Sequence, residues 1–92
     1  MILLVTYDLK QPEGSYPELF EVLKGETSWW HYLSSTWLIA TDQSPKEFSS
    51  KLIGHVFQGD RLIVVQFPSD NDEYSGWLPR KAWDWIKRHR DS

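Results

Sequence analysis

The hydrophobic pattern of the chain begins with a near-continuous apolar run and then changes to helical spacing. The run predicts a first strand over Met1–Asp8, and its lack of polar positions is typical of a central strand covered on both faces. After the chain breakers Pro12 and Gly14, a helix is predicted to start at Ser15, which has capping-box spacing to Glu18. The apolar stripe of this helix consists of Tyr16, Leu19, Phe20 and Leu23.

Two further strands are predicted in the middle of the chain, at Trp29–Leu33 and Thr36–Thr41. Both segments are rich in aromatic and branched apolar residues, and a turn at Ser34-Ser35 joins them. Two serines form a hairpin turn less readily than Asn-Gly does, so one bulged strand through 29–41 is the alternative.

The second helix has a strong start signal. Ser44 and Glu47 have the spacing of a capping box, and Pro45 occupies the first helical position. The apolar face of this helix consists of Phe48, Leu52 and Val56. Gly59-Asp60 is expected to close the helix, and the apolar segment Arg61–Phe67 then predicts a fourth strand.

The last quarter of the chain contains a polar segment, 68–76, and a short third helix predicted over Leu78–Arg90. The elements therefore run strand, helix, strand, strand, helix, strand, and then the extra helix. This order predicts an α+β, ferredoxin-like βαββαβ fold: a four-stranded antiparallel sheet with two helices on one face. We expect a single domain, 1–92, with its core in 1–67 and a tryptophan-rich basic extension in 68–92.

Both helices of the predicted fold lie on one face of the sheet, so they leave the other face uncovered. The second and third strands place large apolar side chains on that uncovered face. The two alternating sets are Trp30, Tyr32, Trp37 and Ile39, or Trp29, His31, Leu33 and Leu38. Either set is too apolar to remain in water, so a second copy or the Trp77–Trp85 segment must cover it. We expect a homodimer whose tail braces the interface. A monomer is expected only if Trp77–Trp85 folds back over its own sheet.

Composition narrows the class of protein. Of the 92 residues, 40% are apolar, which excludes a disordered chain, and none is cysteine, which excludes disulfide scaffolds, thiolate metal sites and cysteine nucleophiles. No apolar run approaches the roughly 20 residues of a membrane helix, so we expect no contact with a membrane. The lack of cysteine and of a recognisable leader predicts a cytoplasmic protein.

Charge is distributed unevenly along the chain. Residues 1–79 carry five basic and 11 acidic side chains, a balance of −6, whereas residues 80–92 carry five basic and two acidic ones, a balance of +3. The acidic body does not suit non-specific binding to a phosphate backbone. The basic segment either contacts an acidic partner or a nucleic acid, or is a solvated helix face.

Polar side chains with catalytic potential are expected at one end of the sheet. A right-handed crossover places the end of the first strand beside the end of the second and the starts of the third and fourth. These positions carry carboxylates, hydroxyls, an imidazole and a guanidinium: Asp8, Ser34, Ser35, His55, Asp60 and Arg61. Oxygen-rich clusters suit Mg²⁺ or Mn²⁺, and a bound ion can activate water for phosphodiester cleavage.

These residues also have structural interpretations. Asp8 and Asp60 are typical turn residues, and the helix dipole alone favours a histidine such as His55 near a helix C-terminus. His31 lies in a predicted aromatic strand, where a packed or interface histidine is expected. One carboxylate at a strand end is too few for a metal site within one chain, so Asp8 from each of two copies would have to share the ion.

Two segments resemble a known family. The opening Ile2-Leu3-Leu4-Val5-Thr6-Tyr7-Asp8-Leu9 is similar to the first strand of the CRISPR-associated Cas-two family, and Ser35-Thr36-Trp37 is similar to its Ser-Val-Phe segment. The likeness covers roughly residues 1–67. The run Trp29-Trp30-His31-Tyr32-Leu33 also resembles small uncharacterised bacterial proteins grouped with Cas-two and the virulence-associated protein D toxins.

The resemblance implies a ferredoxin-like homodimer that acts as a metal-dependent nuclease on RNA or DNA, or as a non-catalytic scaffold. The family's metal-binding aspartate corresponds to Asp8 and its motif serine to Ser35, so the resemblance implies that both are catalytic residues and that Asp8 holds Mg²⁺. The alternative function is a non-enzymatic dimerising or adaptor module, such as one half of a toxin–antitoxin pair.

Overall fold

The computed structural model describes residues 1–12, 14–26, 28–70 and 73–90 as an α+β chain. Its elements are β1 Ile2–Asp8, α1 Pro17–Lys24, β2 Ser28–Leu33, β3 Thr36–Ala40, α2 Pro45–Ile53, β4 Arg61–Gln66 and α3 Arg80–His89. The four strands form one antiparallel open sheet in the order β2-β3-β1-β4. The predicted class is confirmed, and the order is consistent with a ferredoxin-like fold.

The two helices that precede β4 start and stop for different reasons. The capping box at α2 is confirmed, because the Ser44 hydroxyl accepts a hydrogen bond from the Glu47 N–H and the Glu47 carboxylate accepts one from the Ser44 N–H. The capping box predicted at Ser15 is wrong. There the helix begins at Pro17, whose fixed φ suits the first helical position, and Tyr16 caps it without a side-chain hydrogen bond.

The end of α2 also differs from the prediction. The helix stops at Ile53, with Gly54 as its cap, rather than at Gly59-Asp60. Gly59 has a φ angle of 94° and belongs to the turn that leads into β4. Val56 therefore lies beyond the helix, although it still packs against the core on that side of the sheet.

The predicted hairpin between β2 and β3 is confirmed, and the alternative of one strand through 29–41 is wrong, although β2 does contain a bulge. Ser34-Ser35 form the turn, since Leu33 pairs with Thr36. Between Leu33 and Trp30 the register shifts by one residue, so that Trp30 pairs with Leu38. Because side chains alternate along a strand, this bulge exchanges the faces of the residues before it.

The bulge explains why neither expected apolar set lies on a single face: Trp30 is separated from Trp37 and Ile39, and Trp29 is separated from Leu38. Trp37 and Ile39 are buried on the face that packs against α1 and α2, which we call the helical face. Trp30 is buried with Leu38 on the opposite face, which packs against α3 and which we call the α3 face. Both faces of the sheet are thus apolar, and each has its own buried cluster.

Helix α3 folds back over the sheet of its own chain. The Trp85 indole N–H donates a 2.7 Å hydrogen bond to the Ser28 hydroxyl, and the Trp30 indole N–H donates one of 3.3 Å to the Ala82 carbonyl oxygen. Ala82, Trp85 and Ile86 are buried against β2 and β3. A monomer was expected only if the C-terminal segment covered the sheet of its own chain in this way. Because α3 does so, a second copy is not needed to bury the α3 face. Among the described helices, none is long and apolar enough to cross a membrane.

Candidate functional site

The expected metal ligand, Asp8, lies at the end of β1, directly opposite Arg61 of β4. Its carboxylate accepts a 2.8 Å hydrogen bond from the Lys10 ammonium, and 64% of its side chain is exposed. A shallow groove at this end of the sheet is lined by Asp8 and Arg61 with Thr6, Tyr7, Leu62 and Ile63. The carboxylate is therefore accessible, and one ammonium group is already paired with it.

Ser35 lies near this groove but contributes to the fold through its backbone. Its carbonyl oxygen accepts hydrogen bonds from the Tyr7 N–H at 3.1 Å and from the Thr6 hydroxyl at 3.2 Å. The Thr36 hydroxyl in turn donates to the Thr6 hydroxyl at 3.1 Å. These contacts join the β2–β3 turn to β1 and explain the position of Ser35 in the fold.

Asp60 is the most extensively bonded carboxylate of this region. It accepts hydrogen bonds from the backbone N–H groups of Lys10 and Phe57 and from the Tyr16 hydroxyl, at 2.7, 2.8 and 2.8 Å. Partial desolvation raises the pKa of this carboxyl, but the three hydrogen bonds outweigh it and hold the pKa below its ordinary value. Asp60 is thus a turn residue, as its structural interpretation predicted, and the contact with Tyr16 had no signal in the sequence.

The histidines do not join the carboxylates. The His31 ring stacks on Trp37 with 4.0 Å between ring centroids, and its Nε2 lies 3.1 Å from the Ser34 carbonyl oxygen. His31 is therefore stacked on one neighbouring ring, although the residue itself is exposed. His55 follows α2, where its N–H donates to the Leu52 carbonyl oxygen at 3.0 Å, and it does not line the groove beside Asp8.

The donor set around Asp8 does not fit Mg²⁺ within one chain. Mg²⁺ requires several oxygen ligands in a nearly octahedral arrangement, and a lysine ammonium on the same carboxylate competes with a cation. Over residues 1–12, 14–26, 28–70 and 73–90, no group of three or more His, Asp or Glu side chains could hold a metal ion. A metal at Asp8 would therefore need ligands from another molecule.

A second surface, at the β4 edge of the sheet, was not among the sequence candidates. One row of side chains on the α3 face lies beside the part of the sheet that α3 covers. It crosses all four strands and ends at β4, and its members are Leu33, Thr36, Thr6 and Ile63. Ile63 is 57% exposed, and Val65, two residues further along β4, is 42% exposed. The sequence does indicate this surface. Strand β4 has apolar residues at consecutive positions, and such residues must lie on both faces of the strand.

The two edges of the sheet are built differently. Strand β4 pairs with β1 in an uninterrupted register from Asp8↔Arg61 to Leu3↔Gln66, and it contains no proline and no lysine. Strand β2, at the other edge, carries the bulge between Trp30 and Leu33. Bulges, prolines and lysines are the usual features that prevent pairing at a sheet edge, so β4 is the edge that remains open to another strand.

Comparisons with known proteins assign no family. No protein-family model matches the chain, and neither a curated protein nor a solved structure is significantly similar to it.

Proposed function

We propose that this chain is a non-enzymatic dimerising module with a ferredoxin-like fold, and that two copies pair through β4. The observation that carries the proposal is the regular free edge of β4, with Ile63 and Val65 exposed on it. Such an edge presents unpaired backbone N–H and C=O groups together with apolar side chains, which is what a second strand binds.

The sequence of β4 is complementary to itself under two-fold symmetry. Two antiparallel copies of one edge strand are related by an axis normal to the sheet, which keeps equivalent faces on the same side. If the axis passes midway between the two facing Val64 residues, Ile63 of one copy lies opposite Val65 of the other, and Leu62 lies opposite Gln66. In this register Arg61 lies opposite Phe67, so no like charges face each other.

This interface differs from the one that the sequence predicted. The face over which a dimer was expected is covered by α3, and the paired β4 edges would instead join two four-stranded sheets into one of eight strands. Each apolar cross-strand pair contributes about 0.2–1 kcal/mol, against an association cost of about 4–15 kcal/mol. The backbone hydrogen bonds and the burial of both edges must supply the remainder, so we expect a dimer of micromolar affinity.

Light scattering coupled to size exclusion tests the proposal over a range of concentrations. The measured mass should rise from the 10.9 kDa of one chain toward twice that value as the concentration increases from about 1 µM to about 500 µM. Ile63→Glu places a charge opposite Val65 of the other copy, next to the two-fold axis, and should keep the protein monomeric. Ile53→Glu is the matched control, because Ile53 is an isoleucine of similar exposure, 59%, that belongs to α2 and not to the pairing strand. A mass that stays near 10.9 kDa throughout would refute the dimer.

The metal-dependent nuclease remains a second candidate, favoured by the exposed carboxylate of Asp8 at a strand end. A nuclease in which two copies of Asp8 share an ion would require a dimer with a different interface. With the axis at Val64, strand spacings place the two Asp8 residues roughly 25 Å apart, too far to share an ion. The test is degradation of RNA or duplex DNA in Mg²⁺ by the wild-type protein and by Asp8→Ala, with Asp42→Ala as a carboxylate control. Activity that Asp8→Ala abolishes and Asp42→Ala retains would favour the nuclease, and equal activity in both variants would exclude Asp8.

A further inference from the structure

A groove separates the edge of β2 from α3, at the opposite side of the sheet from β4. Its strand wall consists of Trp29, Trp30, His31 and Tyr32, and its helix wall consists of Lys81, Asp84, Trp85 and Arg88. The floor is rigid, because the indole groups of Trp30 and Trp85 are buried and hydrogen-bonded to Ala82 and Ser28. The rings of Trp30 and Tyr32 lie on the strand side of the groove and charged side chains lie on the helix side, whereas the rings of Trp29 and His31 contact Trp37 on the helical face.

The helix wall is basic within an acidic protein. Lys81 and Arg88 stand seven residues apart on one stripe of α3, which corresponds to about 10 Å along the helix, and Asp84 lies between them. Within the described parts of the chain, neither cation is in an ion pair: the two salt bridges there involve Lys10 and Lys51. Two cations and one carboxylate give the helix wall a net charge of +1, which favours an occupant with negative charges opposite Lys81 and Arg88.

The strand wall of the groove favours binding of a peptide over binding of a single-stranded nucleic acid. A single-stranded nucleic acid binds by stacking successive bases on several exposed rings, and this groove does not present several. The Trp29 ring lies 5.1 Å from Trp37 and carries the Lys24 ammonium 5.8 Å from its centroid. Tyr32 packs edge-on against Trp30 at 5.3 Å, and His31 stacks on Trp37. Tyr32 is therefore the one exposed ring on the groove side among these four, because Trp30 is buried and the other two rings lie on the helical face. One ring is too few to stack successive bases, whereas an apolar side chain of a peptide can pack against it.

We infer that the groove between β2 and α3 binds an extended acidic segment of a partner protein. Side chains two residues apart in an extended segment point the same way, so positions i and i+4 are about 13 Å apart, a span that the flexible Lys81 and Arg88 side chains can meet. The middle position, i+2, faces Asp84 and Trp85 and should be uncharged. The site adds a partner surface to the proposed dimerising module, and it lies at the other edge of the sheet from the dimer interface.

Fluorescence anisotropy with labelled peptides tests the inference. The probe is a peptide of about ten residues with glutamates four positions apart and a valine midway between each pair, and the comparison peptide has lysine in place of glutamate. The acidic peptide should bind with micromolar affinity and weaken by about tenfold between about 0.05 M and 0.3 M salt, because the contacts are charged and partly exposed. The lysine peptide should not bind.

Matched charge reversals locate the site. Lys81→Glu and Arg88→Glu together should weaken binding of the acidic peptide by at least about tenfold. Two substitutions on the same helix outside the groove, Arg80→Glu and Lys87→Glu, make the same change in net charge and should weaken it by less than about threefold. Circular dichroism spectra that match the wild type show that each double variant is folded.

Three results would overturn the inference: no binding of the acidic peptide by the wild type, equal losses in the two double variants, or tighter binding of an oligothymidylate of about ten nucleotides than of the peptide. The last result would instead identify a nucleic-acid interface. Because the peptide assay substitutes residues of α3 beside the β2 edge and the mass measurement substitutes a residue of β4, failure of this inference and failure of the proposed dimer are separately observable. Ile63→Glu should leave peptide binding unchanged.

Discussion

The Tyr16 hydroxyl donates a 2.8 Å hydrogen bond to the carboxylate of Asp60, across 44 residues of sequence. Asp60 also accepts hydrogen bonds from the Lys10 and Phe57 N–H groups, and the Tyr16 oxygen accepts one from the Gln11 N–H. This one carboxylate therefore joins the segment after β1, the start of α1 and the turn before β4. All three lie at the end of the sheet that also carries Asp8.

We expect Asp60→Ala to destabilise the protein, because it removes three hydrogen bonds that join separate segments of the chain. Asp8→Ala is the control: it removes a neighbouring aspartate whose carboxylate makes a surface ion pair with Lys10, and such pairs contribute little. Urea unfolding followed by far-ultraviolet circular dichroism measures both. Equal unfolding midpoints for the two variants would contradict the role assigned to Asp60.

The covering of the sheet by α3 gives a second prediction. Trp85 is 8% exposed and anchored by its hydrogen bond to Ser28, so Trp85→Ala should lower the free energy of unfolding by about 3–5 kcal/mol. It should also increase the binding of a hydrophobic dye, because part of the α3 face becomes exposed. Trp77→Ala removes a tryptophan that is 99% exposed and should leave the unfolding curve unchanged. If the two variants were equally stable, α3 would not be packed as described.

The end of α3 is expected to respond to pH through His89. The Nε2 atom of His89 lies 3.2 Å from the Ser28 hydroxyl, and its ring contacts Trp85 at 4.6 Å. Desolvation lowers the pKa of His89 below its ordinary 6.5, and the positive charges of Arg88 and the N-terminus lower it further. The unfolded chain thus binds the proton more readily than the folded one, and acidification below about pH 6.5 should weaken folding.

Unfolding curves between about pH 8 and pH 5 measure this dependence. The wild type should lose stability as the pH falls through the ordinary pKa of histidine, and His89→Gln should lose less over the same interval, since it has no group to protonate there. His55→Gln is the matched control, because His55 is exposed after α2, and it should keep the wild-type dependence. A wild-type slope that persists in His89→Gln would assign the effect to other groups.

Local signals in the sequence predicted the elements, and longer-range contacts decided their details. Ser44 and Glu47 needed only each other to start α2, so their spacing was sufficient. At α1 the local signal was Pro17 at the first helical position, whereas the contact between Tyr16 and the distant Asp60 could not be predicted from local spacing. The side of the sheet on which each tryptophan lies could not be read from alternation, because one extra residue in β2 reverses it.

The turn at Ser34-Ser35 explains where that extra residue comes from. Neither serine has a positive φ angle, so the turn is not of type I′, in which both central residues have positive φ. Unprimed turns twist the two strands less favourably, and here the pairing becomes regular only after the shift between Leu33 and Trp30. The bulge then places Trp30 under α3 and Trp29 beside Trp37 on the helical face.

We therefore expect Asn-Gly, which stabilises most hairpins, to destabilise this one. The double substitution Ser34→Asn and Ser35→Gly favours a type I′ turn, and regular pairing from that turn would place Trp30 opposite Ile39 and move it to the helical face, away from Ala82. The urea midpoint should fall below that of the wild type. The control, Ser34→Ala with Ser35→Ala, keeps negative φ angles and should change the midpoint little. A gain in stability with Asn-Gly would show that the turn does not set the register of β2.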